Sequence, residues 1–202
     1  ERGQNQIMVA PGAGEQITTL AIREIEGAFS KAAVFLTQFE CNLAATIYAI
    51  ALAKTKYGAL TILNPAPAKK FDRSILSVVD IIVPNETEAA LITGVPLHSR
   101  DFHKNAALNL QKKVPVVIIT LGDKGVYCPT VSKKILPPFR VKAIDTTGAG
   151  DAFCGALAAA LSEGLLLDAA IRFAQAGAAI SVTRRGTAPA MPRREEIETL
   201  LR

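Results

Sequence analysis

Tryptophan is absent and aromatic residues make up only 5% of the 202-residue chain. A protein that stacks nucleic-acid bases sets aromatic faces among its cations. Here the basic pairs Lys69-Lys70, Lys112-Lys113 and Arg184-Arg185 stand apart, with no basic run studded with aromatics, so no nucleic-acid partner is expected. Histidine is scarce at two residues, and the three cysteines, Cys41, Cys128 and Cys154, are far apart and odd in number. No CxxC pair and no Cys/His zinc spacing occurs, which leaves free thiols in a reducing cytosol, and a cytoplasmic location, as the expectation. The most apolar run, Leu43 to Ala53, is broken by Thr46 and followed by Lys54. It falls short of the roughly 20 residues that span a bilayer, so neither a membrane partner nor a signal peptide is expected. A GxxxxGK[ST] phosphate loop and an HRD catalytic loop are also missing, which removes the two commonest plans for phosphoryl transfer.

What remains is aliphatic. Half of the residues are apolar and the net charge is +5, a composition that fits one α/β domain and a field favouring anionic ligands. A strand is expected at Ile7–Ala10, then a loop at 11–14 and a helix from Thr18 or Thr19 to about Phe29. The continuous apolar runs Ala32–Leu36, Ala59–Leu63 and Val116–Thr120 read as strands buried on both faces, with Asp80–Val83 a shorter one. Helices are expected at Leu43–Tyr57, Glu86–Thr93, Ser99–Lys113, Ala152–Leu161 and Leu167 to about Val182, with a last one from Pro192 to Arg202. The alternation implies βαβ units, a parallel sheet and helices on both faces. Further extended segments are expected at Val126–Val131 and Arg140–Ile144.

The chemistry concentrates in Asp145-Thr-Thr-Gly-Ala-Gly-Asp-Ala-Phe-Cys-Gly155. An extended segment, a glycine turn and a strong helix former follow one another. Gly148 and Gly150 let a ligand approach the main chain, and the unpaired amides at a helix start form an anion site. Asp151, in the first turn, has two readings. It caps the helix, or it accepts a proton from a hydroxyl attacking a phosphoryl group held by those amides. Asn85 and Glu88, three apart at a helix start, read as a capping box or as phosphate and magnesium ligands, and spacing does not separate the two. Thr37-Gln-Phe-Glu40 and Asn64-Pro-Ala-Pro-Ala68 both follow strands, where active sites of parallel sheets gather. On the residues alone Glu40 reads equally as a surface acid at a loop or as a ligand contact, and Asn64-Pro65 opens a rigid turn with no ligand contact.

Asp145-Thr-Thr-Gly-Ala-Gly-Asp151 resembles the C-terminal signature of the ribokinase-like carbohydrate kinases. Asn64–Ala68, Pro84-Asn-Glu-Thr-Glu-Ala89, Ile119-Thr-Leu-Gly-Asp-Lys-Gly125, Thr37–Glu40 and Ala179-Ile-Ser-Val-Thr-Arg184 agree in order along the chain. The resemblance implies a three-layer α/β sandwich with a mostly parallel sheet and its small β lid largely absent. A single domain over 1–202 is expected, with about 1–14 a lid remnant and roughly the first third of a typical family member not represented. It further implies ATP-dependent phosphorylation of D-ribose. Asp151 would be the general base, and Gly148, Ala149 and Gly150 the anion hole. Asn85, Glu88, Thr120, Leu121, Gly122, Asp123, Lys124, Gly125, Gly150 and Gln175 would lie at ATP. Glu40, with Asp151, would meet the sugar. Glu88 would order water on Mg2+. Asp145, Thr147 and carbonyls of Ser181, Arg184 and Gly186 would hold K+, although position 190 is Ala where Ser is usual. The full-length protein would be a homodimer. Fructokinase, 2-keto-3-deoxygluconate kinase and nucleoside kinase activities are alternatives within the fold, and a non-catalytic nucleotide-binding or regulatory fragment is an alternative of a second functional class. A dinucleotide-dependent oxidoreductase is disfavoured, because Gly148-x-Gly150 lacks the third glycine and lies late in the chain.

Overall fold

A computed structural model describes residues 12–202. The strand expected at Ile7–Ala10 lies outside them, as does most of the segment read as a lid remnant. The described chain divides into two compact units, one of residues 12–122 with Tyr127–Ile135, the other of Asp123–Val126 with Leu136–Arg202.

In the first unit, strands β1 (Val34–Thr37), β2 (Leu60–Leu63), β3 (Ile81–Ile82) and β4 (Val116–Val117) form a sheet in that order. Every pairing is parallel, with Val34 opposite Leu60, Ile62 opposite Ile81 and Ile82 opposite Val117. Branched aliphatic residues suit such a ladder, and Ile62, Leu63 and Ile82 are almost wholly buried. The expected 116–120 strand divides at Ile118 into β4 and β5 (Ile119–Thr120). β6 (Val126–Tyr127) is shorter than expected, because Val131 and Ser132 turn back to donate to the Cys128 carbonyl.

Helix ends in this unit follow local chemistry. α1 (Thr19–Glu24) starts on the Thr18 hydroxyl and gives way to a 3-10 turn at Glu26–Lys31, short of the α-helical end expected near Phe29. Gly27 lies in that turn, where helix propensity is low. α2 (Leu43–Thr55) starts on Asn42, whose side chain accepts from Ala45 N, and the chain turns at Gly58 with φ +68°. α3 (Glu86–Thr93) runs from the Asn85 cap to Gly94 at φ +75°. α4 (Phe102–Leu110) is shorter than the expected helix. No described helix is long and apolar enough to cross a membrane.

One ion pair ties α2 to the sheet. Lys54 Nζ lies 2.7 and 2.9 Å from the two oxygens of Asp80, and Asp80 Oδ2 also accepts from Thr61 N and Thr61 Oγ1 at 2.9 and 3.0 Å. Burial alone would raise the Asp80 pKa, but Lys54 and the Thr61 donors outweigh it and hold the carboxyl below its ordinary value. Its stabilisation is therefore present above the unfolded carboxylate pKa and is lost as pH falls through the lower folded value. Asp80→Ala is expected to lower unfolding free energy by about 2–4 kcal/mol in urea titrations at neutral pH. The deficit should shrink in acid, and a pH-independent deficit would contradict the ionised assignment.

The second unit is helical. α5 (Ala149–Ser162) packs on α6 (Leu167–Ser181), and α7 (Arg194–Leu201) closes it. Small residues set the approach: a Cβ on Gly177 would lie 3.1 Å from Ala156 Cβ and 3.3 Å from Ile197 Cδ1. Arg184 pairs with Glu196, and Arg194 with Glu163. The segment expected to be extended at Arg140–Ile144 is not a described strand, and all of it is exposed. Its alternation suits a strand, but a strand also needs a neighbouring backbone. Among the described residues the anchor at its end is the Val182 carbonyl, which accepts from Ile144 N and Asp145 N.

Candidate active site

Gly148 caps α5 at φ +79°, a left-handed conformation that favours glycine. A Cβ there would also stand 3.3 Å from Met191 Cε and 3.4 Å from Thr187 Cγ2. Asp145 fixes the bend on both sides: Thr147 N donates to Oδ1 at 2.9 Å and Gly186 N to Oδ2 at 3.1 Å. The Thr147 backbone and hydroxyl, then the Gly186 amide, hold the Asp145 carboxyl below its usual range. Asp151 is exposed in the first turn of α5. A Cβ on Gly150 would meet nothing within 4 Å, so this side of the turn is open. Of the amides expected to face an anion, that of Ala149 already donates to Thr146 O at 3.3 Å. The Gly150 amide has no backbone acceptor among the described residues.

The residues read as cation ligands lie where α6 ends. Ser181 is buried, its hydroxyl donates to Ala178 O, and its carbonyl accepts from Arg184 N at 3.1 Å. Gly186 is exposed, whereas Ala190 is buried. A helix C-terminus is electronegative, and the Asp145 carboxylate adds to that field. Among the described residues no group of three or more His, Cys, Asp or Glu could hold a metal ion.

Gln175 is buried on α6, and its Nε2 donates to Leu136 O at 3.1 Å and Pro137 O at 3.2 Å. Arg172 donates to Pro137 O and lies over the Phe139 ring, 3.4 Å from its centroid. Gln175 thus holds the 136–137 backbone. Asp123 and Lys124 are exposed, while Gly125 is buried at φ +107°, and a Cβ on it would fall 2.1 Å from Leu136 O.

In the sheet unit, Asn85 and Glu88 form the capping box. Glu88 N donates to Asn85 Oδ1, Asn85 N to Glu88 Oε2 and Asn85 Nδ2 to Glu88 Oε1, each at 2.9 Å. Burial raises the Glu88 pKa, and the Asn85 bonds oppose it in part. Thr120 N donates to Pro84 O at 3.0 Å, which places Thr120 beside Asn85. Leu121 is buried in the core and Gly122 is exposed. Glu40 is exposed after β1. Two contacts escaped the sequence reading. Asn64 Nδ2 donates to Val83 O at 2.8 Å, and Lys69 Nζ to Phe39 O at 2.7 Å. Neither has a spacing signal, since each joins distant segments.

The parallel sheet flanked by helices is the ribokinase-like fold. A solved ribokinase from Arabidopsis thaliana, complexed with ribose and ATP, superposes with a TM-score of 0.88 at 30% identity, over 99% of this chain and 66% of that one. A ribokinase of Haemophilus influenzae is 42% identical over 195 residues, 96% of this chain and 63% of its own length. A deoxyribokinase of Salmonella typhi is 36% identical over 200 residues, 98% and 65% respectively. The chain thus spans just under two thirds of these relatives. A model of the pfkB family carbohydrate kinases matches residues 1–194. The chain belongs to that family.

Proposed function

We propose that the full-length protein transfers the γ-phosphoryl group of ATP to the terminal hydroxyl of D-ribose, giving D-ribose 5-phosphate. The observation that carries this reading is an exposed Asp151 in the first turn of α5, directly after the left-handed Gly148 and the open Gly150. Asp151 takes the hydroxyl proton as the sugar oxygen bonds to the γ-phosphorus. The bond from that phosphorus to the β,γ-bridging oxygen breaks, and ADP leaves. The Gly148–Gly150 turn, chiefly through its Gly150 amide, holds the charge on the migrating group. Glu40 meets the sugar hydroxyls.

Asn85, Thr120 and the exposed Gly122, Asp123 and Lys124 line the nucleotide. Leu121, Gly125 and Gln175 act by holding the backbone of their own units, since their observed contacts are internal. Both Glu88 oxygens already accept from Asn85, which suits an indirect hold on Mg2+ through water. Asp145, Thr147 and the carbonyls at the end of α6 form an all-oxygen donor set at an electronegative helix end, which fits K+. Bound there, K+ would add positive potential beside the anion site.

A substrate panel on the full-length protein tests the sugar. D-ribose is expected to give the highest kcat/KM among D-ribose, 2-deoxy-D-ribose, D-fructose, 2-keto-3-deoxygluconate and nucleosides. A higher value for another member would reassign the substrate, and ATP binding with no acceptor phosphorylated would make this a non-catalytic nucleotide-binding protein.

A further inference from the structure

We infer that Lys69 is a positioning residue for the sugar: it sets the Glu40 carboxylate by gripping the peptide that carries it. This rests on the reading of Glu40 as the sugar-binding acid. The chain leaves β1 at Thr37 and reaches Glu40 through Phe39, whose ring is 1% exposed and packs on Phe71 with centroids 4.8 Å apart. The backbone on either side of the Phe39 Cα is pinned by one loop. Phe39 N donates to Ala66 O at 2.8 Å, and Phe39 O accepts from Lys69 Nζ at 2.7 Å. That carbonyl belongs to the peptide bond of Glu40, so Lys69 restrains the orientation from which the Glu40 side chain departs.

The ammonium is not used up on the Glu40 carboxylate. Its nearest carboxylate contact among the described residues is Glu15 Oε1 at 3.8 Å, so Glu40 keeps its charge available. A charged donor on a carbonyl is stronger than a neutral one. A third restraint lies close by: Asn42 N donates to Gly14 O at 3.0 Å, and a Cβ on Gly14 would stand 3.5 Å from Glu40 O. The Pro65–Lys69 loop therefore does more than stiffen the exit of β2. It fixes the end of the neighbouring strand.

The test uses the full-length protein with Lys69→Met, Lys69→Arg, Glu40→Gln and the Lys69→Met/Glu40→Gln double variant. Loss of one charge-assisted bond is expected to raise KM for D-ribose about five- to tenfold in Lys69→Met. KM for ATP and the Tm should stay near wild type, and Lys69→Arg should restore most of the ribose KM. The double variant should be no worse than Glu40→Gln alone, because Lys69 acts through Glu40. Fully additive effects, or equal rises in both KM values with a lowered Tm, would overturn the inference. So would an unchanged ribose KM in Lys69→Met beside a raised one in Glu40→Gln, an outcome that leaves the Glu40 assignment standing. An unchanged ribose KM in Glu40→Gln itself would remove both.

Discussion

Asp151→Asn in the full-length protein is expected to lower kcat by about 10²–10⁴, the range over which a positioned general base contributes. The amide keeps the size of the side chain and loses its basicity. Because Asp151 is exposed in the first turn of α5, a substitution that keeps the size and shape of the side chain leaves core packing undisturbed. The fold should therefore survive, with little change in thermal unfolding. KM for ATP should stay within about twofold, since a group that acts on the attacking hydroxyl stabilises the transition state more than the bound nucleotide. Steady-state kinetics with D-ribose and ATP, beside calorimetric ATP binding, separates the two quantities. A variant that turns over within a few-fold of wild type would reduce Asp151 to a helix cap.

Gly125→Ala is expected to act on stability instead. The backbone there has φ +107°, and an added Cβ would sit 2.1 Å from Leu136 O and 3.1 Å from Pro138 N. Leu136 cannot simply withdraw, because it exchanges two backbone bonds with Val126, at 3.0 and 2.7 Å. Strain at such a φ costs about 1–3 kcal/mol, and disturbing the two bonds adds roughly 1 kcal/mol each. A loss of about 3–5 kcal/mol in urea-measured stability follows. It should be equally large in a preparation free of nucleotide. A variant of normal stability that has lost only ATP affinity would place Gly125 at the ligand after all.

The contrast between these two glycine turns marks what could be read from residues alone. α3 has the expected bounds because Asn85 and Gly94 end it through local chemistry. The glycine bend before α5 is legible for the same reason, although the helix starts at Ala149, before the expected Ala152. Strand limits depend on neighbours. Val116–Thr120 divides at Ile118, and Arg140–Ile144 alternates like a strand without being one among the described residues. The site behaves likewise. Gly148 in the bend is picked out by residue type and spacing, whereas Asp145 enters only through the family resemblance. The internal contacts of Gly125 with Leu136, of Gln175 with Pro137 and of Lys69 with Phe39 join distant segments, and no periodicity announces them. Asn85 and Glu88 are an intermediate case. The spacing allowed two readings, and the capping box is present in full, so any part in handling the nucleotide is performed by a pair already bonded together.

Transfer of label from [γ-32P]ATP to D-ribose by the full-length protein, with Mg2+ and K+ present, is the most direct measurement. Radioactive D-ribose 5-phosphate should accumulate in step with ADP, and Asp151→Asn should nearly abolish it. Label that stays in ATP, or passes to water at the same rate with and without ribose, would contradict a sugar kinase built on this glycine turn.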